Sequence, residues 1–230
     1  MATDAASRKM SQLKLRTSSN RFALLLCSQF ALIAIAPLAS TAGHRPGPVF
    51  SVFALTLLVT AVYFVIEERH LRVIEFLLCA AAVLGGVLTS LGSERVFLIP
   101  GLICTISFMV FTTGVILGKV ITAEKVTHET LYGAVSAYLF IGITCGLTYA
   151  LIQLLVPGSI IKTVDTARPL VWSDFTFFSF TTLTSVGYGD MVPVGGVKSL
   201  AMLEAVIGAM YPPLMIGRLL TLLPGRGIRQ

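Results

Sequence analysis

Long uninterrupted apolar runs constrain this chain more than any other feature. They fall at Phe22–Ser40, Val49–Ile66, Val73–Leu91, Val96–Gly118, Leu131–Val156 and Lys198–Leu222. About 20 apolar residues, rising roughly 1.5 Å each, cross the hydrocarbon of a bilayer, so each run predicts one membrane-spanning helix. Only 12% of the 230 residues are charged, whereas a soluble domain carries about 25%. The expected fold class is therefore an all-α membrane protein with six transmembrane helices.

The Lys and Arg residues set its orientation. With the N-terminus inside, the inner connections hold Arg8, Lys9, Lys14, Arg16, Arg21, Arg69, Arg72, Lys119, Lys125, Arg218, Arg226 and Arg229. The outer side holds Arg45, Arg95, Lys162, Arg168 and Lys198. Basic residues gather on the cytoplasmic side, so both termini are expected in the cytoplasm. The basic start, first apolar run and STAG at 40–43 also fit a secretory leader, although the run is nearer span length than signal length. A net charge of +6 raises nucleic acid as a partner, but the cations flank apolar runs, where they anchor and orient helices. No nucleic acid is expected. Cys27, Cys79, Cys104 and Cys145 each sit alone in a different apolar run, without metal-ligand spacing, and read as small packing residues. His44, His70 and His128 are single polar residues of connections. Nothing here implies an enzyme or a cofactor.

Between the last two runs lies VWSDFTFFSFTTL, too short to span and therefore re-entrant or interfacial, followed by TLTSVGYGD at 182–190. Ser173 is a good N-cap and Asp174 a favourable first-turn anion, so a short helix is expected from Ser173 to Thr184. Trp172 reads as an interfacial anchor. Non-helical backbone at membrane depth survives only inside protein or beside a water-filled cavity. Glycines at 187 and 189 permit a backbone in which successive carbonyls point the same way.

The string TLTSVGYGD, with an aromatic-rich short helix before it and a span on either side, resembles the pore of the potassium channels, including small bacterial six-span members. The resemblance covers about residues 172–222. It implies a tetrameric cation-channel architecture, with a re-entrant pore helix and filter loop between the fifth and sixth spans. Residues Thr184, Ser185, Val186, Gly187, Tyr188 and Gly189 would form the ion-binding filter. The carbonyls of Ser185, Val186, Gly187 and Tyr188 would bind dehydrated K⁺, the permeant ion. Gly189 would close the outer end and Asp190 would hold the outer mouth by side-chain hydrogen bonding. The partners implied are other copies of the chain in a homotetramer, membrane lipid and K⁺.

The same resemblance divides the chain. Residues 1–21 form a basic cytoplasmic segment and 22–118 a four-helix bundle. Residues 119–130 form a cytoplasmic linker, 131–222 the pore domain and 223–230 a short cytoplasmic tail. A bacterial inner membrane is the implied location. A non-conducting or modulatory subunit that assembles with other pore chains is the alternative reading. The chain departs from many relatives in carrying serine at 185 and phenylalanine at 177 and 178, where a hydrogen-bond donor to Tyr188 would otherwise stand.

Glu204 lies inside the last span, where an acid is usually functional or paired. It is expected to support the filter from behind, through pore-helix groups such as Thr181 or Thr182. Glu75 is expected to snorkel or to pair with Arg69 or Arg72. Gly208, Pro212 and Pro213 predict a bend or hinge in the last span, with helix convergence around Met215 to Arg218.

The fourth run, VFLIPGLICTISFMVFTTGVILG, contains no charge. Each elementary charge crossing the field contributes about 2.3 kcal/mol per 100 mV, and steep gating needs several per subunit. Nearly ohmic currents in symmetric K⁺ are therefore expected. Conductance–voltage curves in planar bilayers check this, and a steep sigmoid would contradict it.

Overall fold

The computed structural model describes residues 23–35, 69–90 and 95–222. The expected second span, the basic leader, the end of the first run and the tail at 223–230 lie outside the described residues. Within them the chain is mostly helical: α1 (Ala23–Ile35), α2 (Arg69–Ser90), α3 (Arg95–Thr122), α4 (His128–Leu155), α5 (Trp172–Leu183) and α6 (Val197–Thr221). Leu98–Thr122, α4 and α6 are long and apolar enough to cross a membrane, while α1 and Val73–Gly85 are shorter apolar helices. The protein is a membrane protein.

One element was not anticipated by an all-α reading. Strands β1 (Ile160–Lys162) and β2 (Met191–Pro193) pair antiparallel, with Ile160 opposite Pro193, Ile161 opposite Val192 and Lys162 opposite Met191. Runs of three residues leave too little alternation to be seen in a sequence.

Apolar faces gather the helices into two neighbouring clusters. Leu25 of α1, Phe108 and Ile116 of α3, and Ala137 and Phe140 of α4 are all fully buried together. Further along α4, Tyr149 and Ala150 meet Phe175 and Phe178 of α5, Ile160 of β1, Met191 of β2 and Ala201 of α6. Lipid tails are as apolar as these side chains, so close van der Waals packing, and not withdrawal from water, holds the clusters together. The second cluster fixes α5 between α4 and α6.

Polar contacts set the register of these helices. Thr127 caps α4 by accepting the Thr130 N–H at 3.2 Å. The Gln29 side-chain amide of α1 donates to the Ser136 carbonyl of α4 at 3.2 Å. Glu75 of α2 does not snorkel: it is fully buried and accepts the Thr112 hydroxyl of α3 at 2.8 Å, while the side chains of Arg69 and Arg72 lie outside the described residues. At the far end of α6, Arg218 donates to the Ile121 and Ala123 carbonyls at 2.8 and 3.0 Å. The last turn of α6 is thereby tied to the C-terminal carbonyls of α3, which lack helical partners of their own.

Helix α6 crosses the end of α5 at close range. A Cβ on Gly208 would stand 1.7 Å from the Leu183 carbonyl oxygen, far inside contact distance, so only glycine fits there. Gly208→Ala is expected to push α6 away from α5 at a cost of about 3 kcal/mol or more. Thermal unfolding of the detergent-purified protein should show a lower midpoint for this variant than for the parent.

Candidate functional site

Helix α5 spans twelve residues, about 18 Å and roughly half a bilayer core. Its start differs from expectation. Val171 is the N-cap and Ser173 lies inside the first turn, buried. The Asp174 carboxylate reaches back to accept the Val171 N–H at 2.9 Å. A carboxylate three residues into a helix satisfies one orphan donor and complements the dipole, so Asp174 sets the start without a capping hydroxyl. The same carboxylate meets Lys162 at 2.8 Å and Arg168 at 3.3 Å. Trp172 opens the helix and packs partly buried against both apolar clusters.

At its other end α5 runs straight into the glycine string. Thr184 donates its N–H to the Phe180 carbonyl and Ser185 to that of Thr182, both at 3.0 Å. The chain then folds back on the helix: the N–H groups of Val186 and Gly187 both reach the Thr181 carbonyl, at 2.9 and 3.1 Å. The described residues include no cis peptide bond. A trans peptide places its carbonyl opposite its N–H. The carbonyls of Ser185 and Val186 must therefore point away from α5, toward the uncovered side of the loop.

The dihedrals continue this pattern outward. Ser185, Gly187 and Gly189 have φ of 58°, 53° and 78°, while the residues between them do not enter that region. Left-handed residues alternating with residues of negative φ give a path that neither a regular helix nor a regular strand follows. A Cβ at Gly187 would meet nothing within 4 Å, so its glycine is favoured by φ and not by space. Ser185 adopts the left-handed region without being glycine, a cost of order 1 kcal/mol that a loop tied on both sides can bear. The sequence carries no sign of this third left-handed position. The C-terminal end of α5 adds partial negative charge at the inner end of this face.

The supporting residues act differently from expectation. Thr181 and Thr182 hydroxyls donate within the helix to the Phe178 carbonyl, at 3.0 and 2.8 Å; Thr181 holds the loop through its main-chain oxygen. Asp190 contributes its main-chain carbonyl, which accepts the Thr163 N–H at 2.9 Å. Phe177 stacks on Tyr188 with ring centroids 5.7 Å apart and planes 10° off parallel, giving face contact in place of a hydroxyl bond. The carbonyl of Leu183 accepts the Tyr138 hydroxyl at 3.2 Å.

Glu204 reaches α5 as expected, but at Ser179. Its Oε1 lies 2.5 Å from the Ser179 hydroxyl, and its Oε2 accepts the Tyr149 hydroxyl at 2.5 Å. Ser179 Oγ also lies 2.7 Å from the Gly142 carbonyl. Glu204 thus joins α4, α5 and α6 in a site that is 1% exposed. Sequence reading singled out the carboxylate but not its partners, because Tyr149 is 55 residues away and reads as core. Pro212 and Pro213 sit one turn beyond Gly208 in an α6 that continues as helix to Thr221. Lacking N–H groups, they leave the carbonyls of Gly208 and Ala209 without their helical donors. Gly208 sits against the loop's origin at Leu183, whereas the prolines are further along.

A half-length helix leading into a loop that turns the Ser185 and Val186 carbonyls outward, bracketed by two apolar helices, is the layout of the pore domain of a membrane ion channel. Residues 149–223 match the model of a family described as ion channel. Such a domain makes and breaks no covalent bond, so the protein is not an enzyme. Protein LctB from Bacillus caldotenax is 28% identical over 105 residues, covering 44% of this chain and 77% of LctB. No solved structure matches the chain.

The Glu204 contacts yield a prediction. Ser179 has one hydroxyl hydrogen and two oxygen neighbours, Gly142 and Glu204. A glutamine offers a donor on one side and an acceptor on the other, which suits both Ser179 and Tyr149. Glu204→Gln is expected to retain stability and assembly. Glu204→Ala leaves the buried Tyr149 hydroxyl without its acceptor, at about 1–3 kcal/mol, while Ser179 can still donate to the Gly142 carbonyl. Thermal melts of both variants check the order; equal losses would show that the bonds carry no weight.

Proposed function

We propose that this chain is the subunit of a homotetrameric, K⁺-selective channel. The observation that carries the reading is the Thr181 carbonyl holding both the Val186 and Gly187 N–H groups, with left-handed residues at 185, 187 and 189. That arrangement presents consecutive main-chain oxygens on one open face. Rings of such carbonyls replace a cation's hydration shell. The Ser185, Val186, Gly187 and Tyr188 carbonyls are the proposed ligands, with the Ser185 hydroxyl at the inner mouth.

One chain supplies one wall. Val186 is 55% exposed and Tyr188 71%, an exposure that neighbouring copies around a fourfold axis would remove. Helix α6 likewise leaves Met202, Leu203, Val206 and Met210 uncovered. Lipid covers the remaining apolar helix faces, and both termini face the cytoplasm of a bacterial inner membrane. In this reading the described helices before the linker support the pore without supplying gating charge.

Reconstitution of the purified chain alone tests this reading. K⁺ flux well above Na⁺ flux from one polypeptide is the expected result, and silence would favour the modulatory-subunit alternative. Gly187→Ala should abolish K⁺ flux while leaving assembly largely intact, since a Cβ at φ 53° distorts the carbonyl path without meeting a clash. Unchanged flux and ion preference in that variant would remove the filter assignment.

A further inference from the structure

Among the described residues, main-chain bonds between α5 and the filter loop end at Gly187. The outer half of the loop is held from elsewhere. Thr163, just beyond β1, donates its hydroxyl to the Gly189 carbonyl at 2.7 Å and its N–H to the Asp190 carbonyl at 2.9 Å. These are the last carbonyls before β2 begins.

The segment carrying Thr163 is itself anchored. Gln153, in the last turn of α4, accepts the Ser159 hydroxyl at 2.8 Å and the Ile160 N–H at 2.9 Å. The Val194 N–H donates to the Ser159 carbonyl at 2.8 Å, closing the strand pair on the other side. Lys162 meets Asp174 at the start of α5 at 2.8 Å. Ile160 and Met191 are buried in the cluster that also holds Phe178. The β1–β2 pair thus ties the outer end of the loop to both α4 and α5. Phe177 and Phe178 have no side-chain hydrogen to donate, so an aromatic cuff cannot supply that restraint.

We propose that Thr163 is a positioning residue for the outer half of the filter. Its two hydrogen bonds hold the Gly189 and Asp190 carbonyls, and so set how long the conducting shape survives once K⁺ is withdrawn. The inference rests on the reading of this loop as a K⁺ filter. A bound ion restrains a carbonyl ring from inside; without it, only outside contacts remain. Thr163 is exposed, so water competes for its bond and the expected effect is modest.

The test follows outward K⁺ current through reconstituted channels after the outer solution is changed from K⁺ to Na⁺. Thr163→Val keeps the side-chain shape and removes the hydroxyl. It should lose current about fivefold faster than the parent, the factor that corresponds to about 1 kcal/mol at 1.36 kcal/mol per tenfold. Thr163→Ser should behave as the parent, as should Thr166→Val at an exposed neighbour. High external K⁺ should erase the difference, which a general weakening of the fold would not do. A Thr163→Val channel that decays like its K⁺-selective parent overturns the clip and leaves the filter reading standing. A parent that carries no K⁺ removes both. If Thr163→Val fails to assemble, Ile161→Cys with Val192→Cys decides, since these residues face each other across the strand pair. The oxidised pair should lose current more slowly than the same protein reduced, and equal rates refute the proposal.

Discussion

The fold-back of Val186 and Gly187 onto α5 depends on a single oxygen. The Thr181 carbonyl, in the last turn of α5, accepts two N–H groups from the loop that follows its own helix. Carbonyls near a helix C-terminus lack helical donors, so this oxygen is available without cost to α5. By taking the Val186 and Gly187 N–H groups it turns the preceding carbonyls outward. The ion-binding face proposed here is the reverse side of an ordinary helix-terminating contact.

That contact works only if α5 stays in place, and the surrounding helices serve that end. Gly208 lets α6 cross Leu183 at a distance no side chain would allow. Glu204 reaches from α6 to Ser179 on α5 and Tyr149 on α4. Tyr138 reaches the Leu183 carbonyl from α4. These are polar bonds in apolar surroundings, where a missing partner is costly, so each favours one helix arrangement over nearby alternatives. At the opposite end of α6, Arg218 holds the carbonyls that end α3. Any displacement of the last turn of α6 must therefore break or carry along that contact.

Much of this was legible in the residues. The positions of α2, α3, α4 and α6 follow from apolar runs bounded by charge, because crossing a bilayer demands length and hydropathy that few other folds need. That α5 is too short to span was also legible, from the length of its stretch. The alternating glycines announced an unusual backbone. Less legible was the start of α5, where Ser173 looked like the cap and Asp174 performs the capping from within. Glu204 was visible as an acid in an apolar run, while its partners were indistinguishable from core residues.

By itself the sequence determined the class of the protein, the number and order of the apolar runs, and the segment that carries the glycine loop. These properties are local: they depend on what a short stretch of residues can do in lipid. Tertiary structure alone decided which oxygen holds the loop, that Thr181 acts through its main chain, and that Thr163 and the β1–β2 pair secure its outer end. Those contacts join residues whose separation along the chain is set by loop paths. A threonine in a polar connection has the same appearance whether it faces solvent or donates to Gly189. Only folding brings donor and carbonyl together.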